Sequence, residues 1–164
     1  MSRTNAAPIV ATIVLSAWLG AAVFFSAVVA PAAFRSLPDA SMAGALVGAT
    51  LPAIFYAGIV VGLVSLWLGM SGAPVAARAV RAVCAAGVAL CCAAAQFGVV
   101  HRIERLRARL TAPIESLAPN DPARVTFGRL HALSVGLLGL AMILAAVVVV
   151  LSWRTGLASS VSPE

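Results

Sequence analysis

Long apolar runs alternate with short polar breaks along this chain, and the breaks carry almost all of its charge. The first run, from about Pro8 to Ala30, is long enough as a helix to cross the roughly 30 Å hydrocarbon layer of a bilayer. Asn5 is placed to cap it, with Pro8 tolerated in the first turn. Its apolar core exceeds that of a cleavable signal and further spans follow, so a retained helix is expected. Trp18 falls near mid-span, which predicts packing against protein. Pro31 frees the Ala27 carbonyl and is expected to bend the helix as it leaves the membrane. Ser36-Leu37-Pro38-Asp39 then reads as a helix start, a serine cap with an acid three residues later.

The helix that follows, Leu37 to Met70, would be about 51 Å long if straight, too long for one crossing. Pro52 removes the bond to the Gly48 carbonyl, which predicts a kink and a span proper at about 51–70. Gly44-x-x-x-Gly48 and Gly58-x-x-x-Gly62 offer flat surfaces for close helix approach. A turn at 71–74 leads to a third span at about 75–100. That helix is expected to continue through the basic run to Leu110, where Ile103, Leu106 and Leu110 form an apolar stripe beneath arginines. The basic run reads as a helix end snorkelling at the headgroups. A loop with Pro113 and Pro119 precedes Asp121-Pro122, a cap and first helical residue. The last span lies at about 127–151, and Gly156 to Glu164 reads as a frayed polar tail. The pattern predicts an all-α integral membrane protein, one domain over 1–164. Its fold is an antiparallel bundle of four transmembrane helices with a kinked second helix and an extended third.

Composition points the same way: 62 % of the residues are hydrophobic and 10 % charged, where soluble domains carry about a quarter charged. The net charge of +6 comes from arginine alone, since there is no lysine. With its abundant Ala, Val and Gly, that resembles a GC-rich bacterial composition and suggests the cytoplasmic (inner) membrane of a bacterium. The expected partners are the bilayer and, at the basic side, anionic headgroups. The small-residue spacings leave a homo-oligomer open. Nucleic acid is not expected, because the basic run has no interleaved aromatic platform. Cys84, Cys91 and Cys92 lie in one apolar run and read as small packing residues. No histidine or acid lies at their depth to complete a metal site.

Four spans put both termini and the 71–81 turn on one side, A, with Arg3, Arg78, Arg81 and Arg154. Side B holds Arg35, Arg102, Arg105, Arg107, Arg109, Arg124 and Arg129, and this excess places side B in the cytoplasm and the termini outside. Trp67 and Trp153 fall at side-A ends, where an aromatic belt belongs. The polar residues within or beside the spans are also asymmetric. Ser26, Thr50, Tyr56, Gln96, His101, Arg129, His131 and Ser134 fall in the half nearest side B, which suggests a hydrogen-bonded cluster or wet vestibule there. Arg124, Phe127, His131, Ser134 and Leu138 share one helix face.

Trp18-Leu19-Gly20, Phe24-Phe25-Ser26, Pro31, Phe34-Arg35 and Leu37-Pro38 form a pattern that resembles the first helix of the transmembrane-protein-205-like family, also catalogued as domain of unknown function 4149. Gly48 with Pro52 and Tyr56, then Phe127-x-x-Leu130-His131-x-x-Ser134, resemble its second and last helices in the same order. Leu138 stands where that pattern has an asparagine. The resemblance implies a small four-helix membrane protein and brings no reaction, substrate or cofactor with it.

Two functions follow from the residues. One is a non-enzymatic membrane protein whose polar cluster (Arg35, Tyr56, Gln96, Arg129, His131 and Ser134) contacts a small ligand or locks helices together. The other is a haem-binding, cytochrome-like bundle with His101 and His131 as axial ligands and nearby arginines for the propionates. Against it, both histidines sit near the rim and the first span has none. A hydrolase is disfavoured, because His131 and Ser134 are neighbours on one helix with no nucleophile elbow.

Overall fold

Pro38 decides where the second helix begins. It holds Leu37 in extended backbone, with φ −88° and ψ 148°, because the residue before a proline is driven out of the helical region. The computed structural model describes residues 6–68 and 75–160; Asn5 and the 71–74 turn lie outside the described residues. Helix α1 runs Ala6–Ser36 and α2 runs Ala40–Leu68. Ser36 therefore closes the first helix, and the cap of the second is Asp39, whose Oδ1 accepts a hydrogen bond from the Met42 N–H at 2.7 Å. The expected serine cap is corrected: a helix starting at Ser36 would need Leu37 helical, and Pro38 forbids it.

Helix α3 begins at Val75 as Val75–Ala93, widens to a π-helix over Ala94–Val100 and is α-helical again over His101–Ala108. It is the extended third helix that the apolar stripe predicts. Helix α4 runs Pro122–Ser160, with Asp121 Oδ1 accepting from the Ala123 N–H at 2.8 Å. It continues past Gly156 to Ser160, so the expected frayed tail is helical over that stretch. Only a short 3-10 turn, Ile114–Ser116, interrupts the loop between α3 and α4.

The two helices with internal prolines handle them differently. Ahead of Pro31, α1 widens to a π-helix over Phe25–Val29, where the Ala30 N–H donates to the Phe25 carbonyl five residues back. Such a bulge re-pairs backbone around a missing donor. Helix α2 runs unbroken through Pro52. Just before it, Thr50 Oγ1 donates to the Leu46 carbonyl at 2.9 Å and the Val47 carbonyl at 3.2 Å.

Each helix packs on its sequence neighbours, and α1 closes the bundle against α4. Leu15, Trp18, Phe55, Val88, Cys92, Leu138 and Ala141 form the core. Trp18 is buried and its Nε1 donates to the Ile54 carbonyl of α2 at 2.9 Å, so its mid-span position does serve packing. Gly58 and Gly62 set the α2–α3 approach. A methyl on Gly62 would stand 2.8 Å from the Ala89 nitrogen and 2.9 Å from the Ala85 carbonyl oxygen. Outside this core the bundle is apolar too: Ile13, Val60, Leu63, Val83, Leu90 and Ile143 are all exposed. A water-soluble monomer does not carry an apolar surface of this extent. Four helices of spanning length and composition make it the lipid-facing surface of an integral membrane protein. Trp67 and Trp153 are exposed at the side-A ends, as an aromatic belt requires.

Candidate functional site

At the side-B end the helices part. The N-terminal half of α2, the last turns of α3, the 3-10 turn and the start of α4 enclose a pocket of about 620 Å³. Its walls are mostly apolar, including Phe34, Val47, Leu51, Val100, Ile103 and Phe127. Into it come two arginines, Arg107 and Arg124, two acids, Glu104 and Glu115, and the His131 and Ser134 side of α4.

Arg107 is the central group. Its guanidinium carbon lies 5.2 Å from the centroid of the Phe127 ring, within cation–π range. Across from the ring it lies along α2 where two glycines leave room. A methyl on Gly44 would be 3.5 Å from its Nη2, and one on Gly48 3.4 Å from its Nη1. Glu115 borders Gly44 as well, its Oε1 3.7 Å from the same methyl position. Among the described residues the only ion pair within 4.0 Å is His101 Nδ1 with Glu104 Oε2, at 3.7 Å. The half-buried Arg107 is thus a cation with no carboxylate partner among the described residues. Arg124 is tied down instead, its Nη1 donating to the Leu117 carbonyl at 2.6 Å. His131 stacks on Phe127, one turn before it, with ring centroids 6.0 Å apart and planes 17° from parallel.

The six residues expected to form one polar cluster separate into three places. His131 and Ser134 line the pocket, with Ser134 buried. Tyr56 and Gln96 pair between α2 and α3, where Gln96 Nε2 donates to the Tyr56 hydroxyl at a long 3.5 Å. Tyr56 also meets Phe97 edge-on, at 6.0 Å and 72°. Arg35 and Arg129 are exposed and line no part of the pocket. Both histidines are exposed; His131 borders the pocket, and His101 lies beside Glu104.

The basic run is where sequence reasoning missed the most. Arg102, Arg105 and Arg109 are exposed, as snorkelling residues are, but Arg107 turns inward. The spacing carried that signal: Val100, Ile103 and Arg107 fall at i, i+3 and i+7, and all three line the pocket. The Gly44/Gly48 pair was likewise expected to bring helices together. It forms the floor on which the guanidinium rests, while Gly58/Gly62 makes the close helix contact. Among the described residues no group of three or more His, Cys, Asp or Glu side chains is placed to hold a metal ion.

Fold and pocket together define a polytopic four-helix membrane protein with a mainly apolar cavity at its basic end that carries a few polar groups. The family described as Domain of unknown function (DUF4149) matches residues 13–112, and the chain belongs to that family. The match covers most of α1, all of α2 and α3, and leaves α4 outside. No curated protein and no solved structure matches the chain.

Proposed function

We propose that this protein is a non-enzymatic membrane protein that takes up a small amphipathic ligand with an anionic head group in the side-B pocket. The observation that carries this reading is Arg107: a guanidinium with no carboxylate within 4.0 Å among the described residues, seated on glycines and over the Phe127 ring in a mainly apolar cavity of about 620 Å³. Binding sites of this kind use apolar walls for affinity and a few polar groups for orientation. An anionic head would meet Arg107, with His131 and Ser134 at hydrogen-bonding edges, while its tail lies along Val47, Leu51 and Phe34.

The likeness of the first, second and last helices to transmembrane-protein-205-like proteins supports a membrane role without adding a ligand. Side B is assigned to the cytoplasm of a bacterial inner membrane, with the termini outside, on its arginine excess.

The test uses the full chain in a neutral maltoside detergent, with dodecyl phosphate as probe and thermal unfolding as readout. The probe is expected to raise the unfolding midpoint of the wild type. Arg107→Gln should weaken the half-saturating concentration by roughly ten- to a hundredfold, as loss of a charged hydrogen bond predicts. Equal probe responses in wild type and Arg107→Gln would sink the proposal.

A further inference from the structure

The opposite end of the bundle holds a second, separate polar feature. Arg81 of α3 is only 6 % exposed, and Ser65 of α2 5 %. Arg81 Nε reaches the Ala77 carbonyl at 3.4 Å, but its Nη2 has no hydrogen-bond partner, and neither has Ser65 Oγ. Both line one small cavity where all four helices meet, with Ala11 and Thr12 from α1, Leu66 from α2, and Val148 and Ser152 from α4. Thr12 has already given its hydroxyl proton to the Pro8 carbonyl, at 2.8 Å. The polar groups left without a partner are therefore a guanidinium N–H pair and a serine hydroxyl, which can both donate.

A buried cation needs a counter-charge, and none of the described residues supplies it at this depth. The acids among the described residues, Asp39, Glu104, Glu115 and Asp121, all belong to the side-B end. The Arg81 side chain is more than nine-tenths buried, so bulk water solvates it poorly. The cavity leaves about 10 Å³ for the centre of a water-sized sphere, room for about one such occupant. A phosphate ester or carboxylate does not fit there; a monatomic anion does. We propose that Arg81 and Ser65 form a binding site for a halide ion of the chloride class, which neutralises Arg81 and ties the side-A ends of the four helices together. This inference is independent of the side-B pocket and of any ligand bound there.

The test compares the full chain in chloride, bromide and gluconate at equal ionic strength and pH. Halide is expected to raise the unfolding midpoint saturably over gluconate, and a bromide-soaked crystal should show an anomalous peak beside Arg81 Nη2. Ser65→Ala should keep the fold and raise the half-saturating halide concentration on the order of tenfold. Arg81→Gln, where it folds, should lose the halide response. The same midpoint in halide and gluconate, or a Ser65→Ala titration identical to wild type, overturns the proposal. A cavity that crystallography shows to hold only water in bromide does so too.

Discussion

Arg107 and Phe127 face each other across the side-B pocket at 5.2 Å from guanidinium carbon to ring centroid, on helices joined by the loop that closes the same pocket. The contact does two things at once. It holds α3 to α4, and it keeps the guanidinium flat against the Gly44–Gly48 face of α2 and open to the cavity.

Phe127→Leu should therefore cost about 0.5–1 kcal/mol, the worth of a partly exposed cation–π contact. For a chain of this size that is a fall of roughly 1–4 °C in unfolding midpoint. Differential scanning of the detergent-solubilised protein would show it. An unchanged midpoint would mean that the ring does not hold the arginine.

The two glycine pairs should respond oppositely to alanine. Gly62→Ala puts a methyl 2.8–2.9 Å from α3 backbone, so the helices must separate, at about 1–3 kcal/mol. Gly48→Ala meets only the movable Arg107 side chain at 3.4 Å, so stability should hold within about 0.5 kcal/mol while dodecyl phosphate binding weakens. Unfolding by sodium dodecyl sulfate, run alongside the probe titration, separates the two effects. Equal destabilisation by both substitutions would contradict the assignment.

Gln96→Leu should be neutral or mildly stabilising. Gln96 is buried with its Oε1 unpartnered and its amide bonded to Tyr56 only at 3.5 Å. Replacing a poorly satisfied polar group with an apolar one of similar size removes a desolvation cost. A loss of more than about 1 kcal/mol in the same unfolding assay would show that the Tyr56–Gln96 pair carries more than the geometry allows.

Ala118 lies exposed in the side-B loop. Ala118→Cys, in a background with Cys84, Cys91 and Cys92 replaced by alanine, should react with a membrane-impermeant maleimide only after cells are permeabilised. Labelling in intact cells would reverse the assigned orientation.

What could be read from the chain depended on how local the cause was. Asp121-Pro122 announced the last helix because a cap and a proline act within one turn. The second helix start was placed three residues early, because the serine–acid pattern was weighed without the constraint of Pro38 on Leu37. The spans were legible from length and apolarity alone. The side-B end and the His131–Ser134 face could be read as well; the inward arginines could not, because they look like ordinary interfacial arginines until the helix face is known. Arg81 belonged by position to the side-A turn, yet it lies on the face of Cys84, Val88 and Cys92, at i+3, i+7 and i+11, which is the buried face. Arg107 lies on the inward face of Val100 and Ile103 in the same way. Helical phase carried through a basic run would have found both.

Helix α2 is held unevenly along its length. Its lower part is clamped by the Trp18 hydrogen bond at Ile54 and by backbone contact at Gly62. Pro52 gives no N–H to the Gly48 carbonyl, and beyond that missing rung the helix borders a hollow. Above Ile54 its neighbours are mainly side chains, with Arg107 against Gly44 and Gly48 and Ala43 buried. Backbone amides in 40–51 should accordingly exchange with deuterium faster than those in 54–66, and uniform protection would show the helix to be held evenly throughout. The missing rung at Pro52 thus falls where the wall of the pocket meets the sealed core, so the two halves of one helix answer to different neighbours.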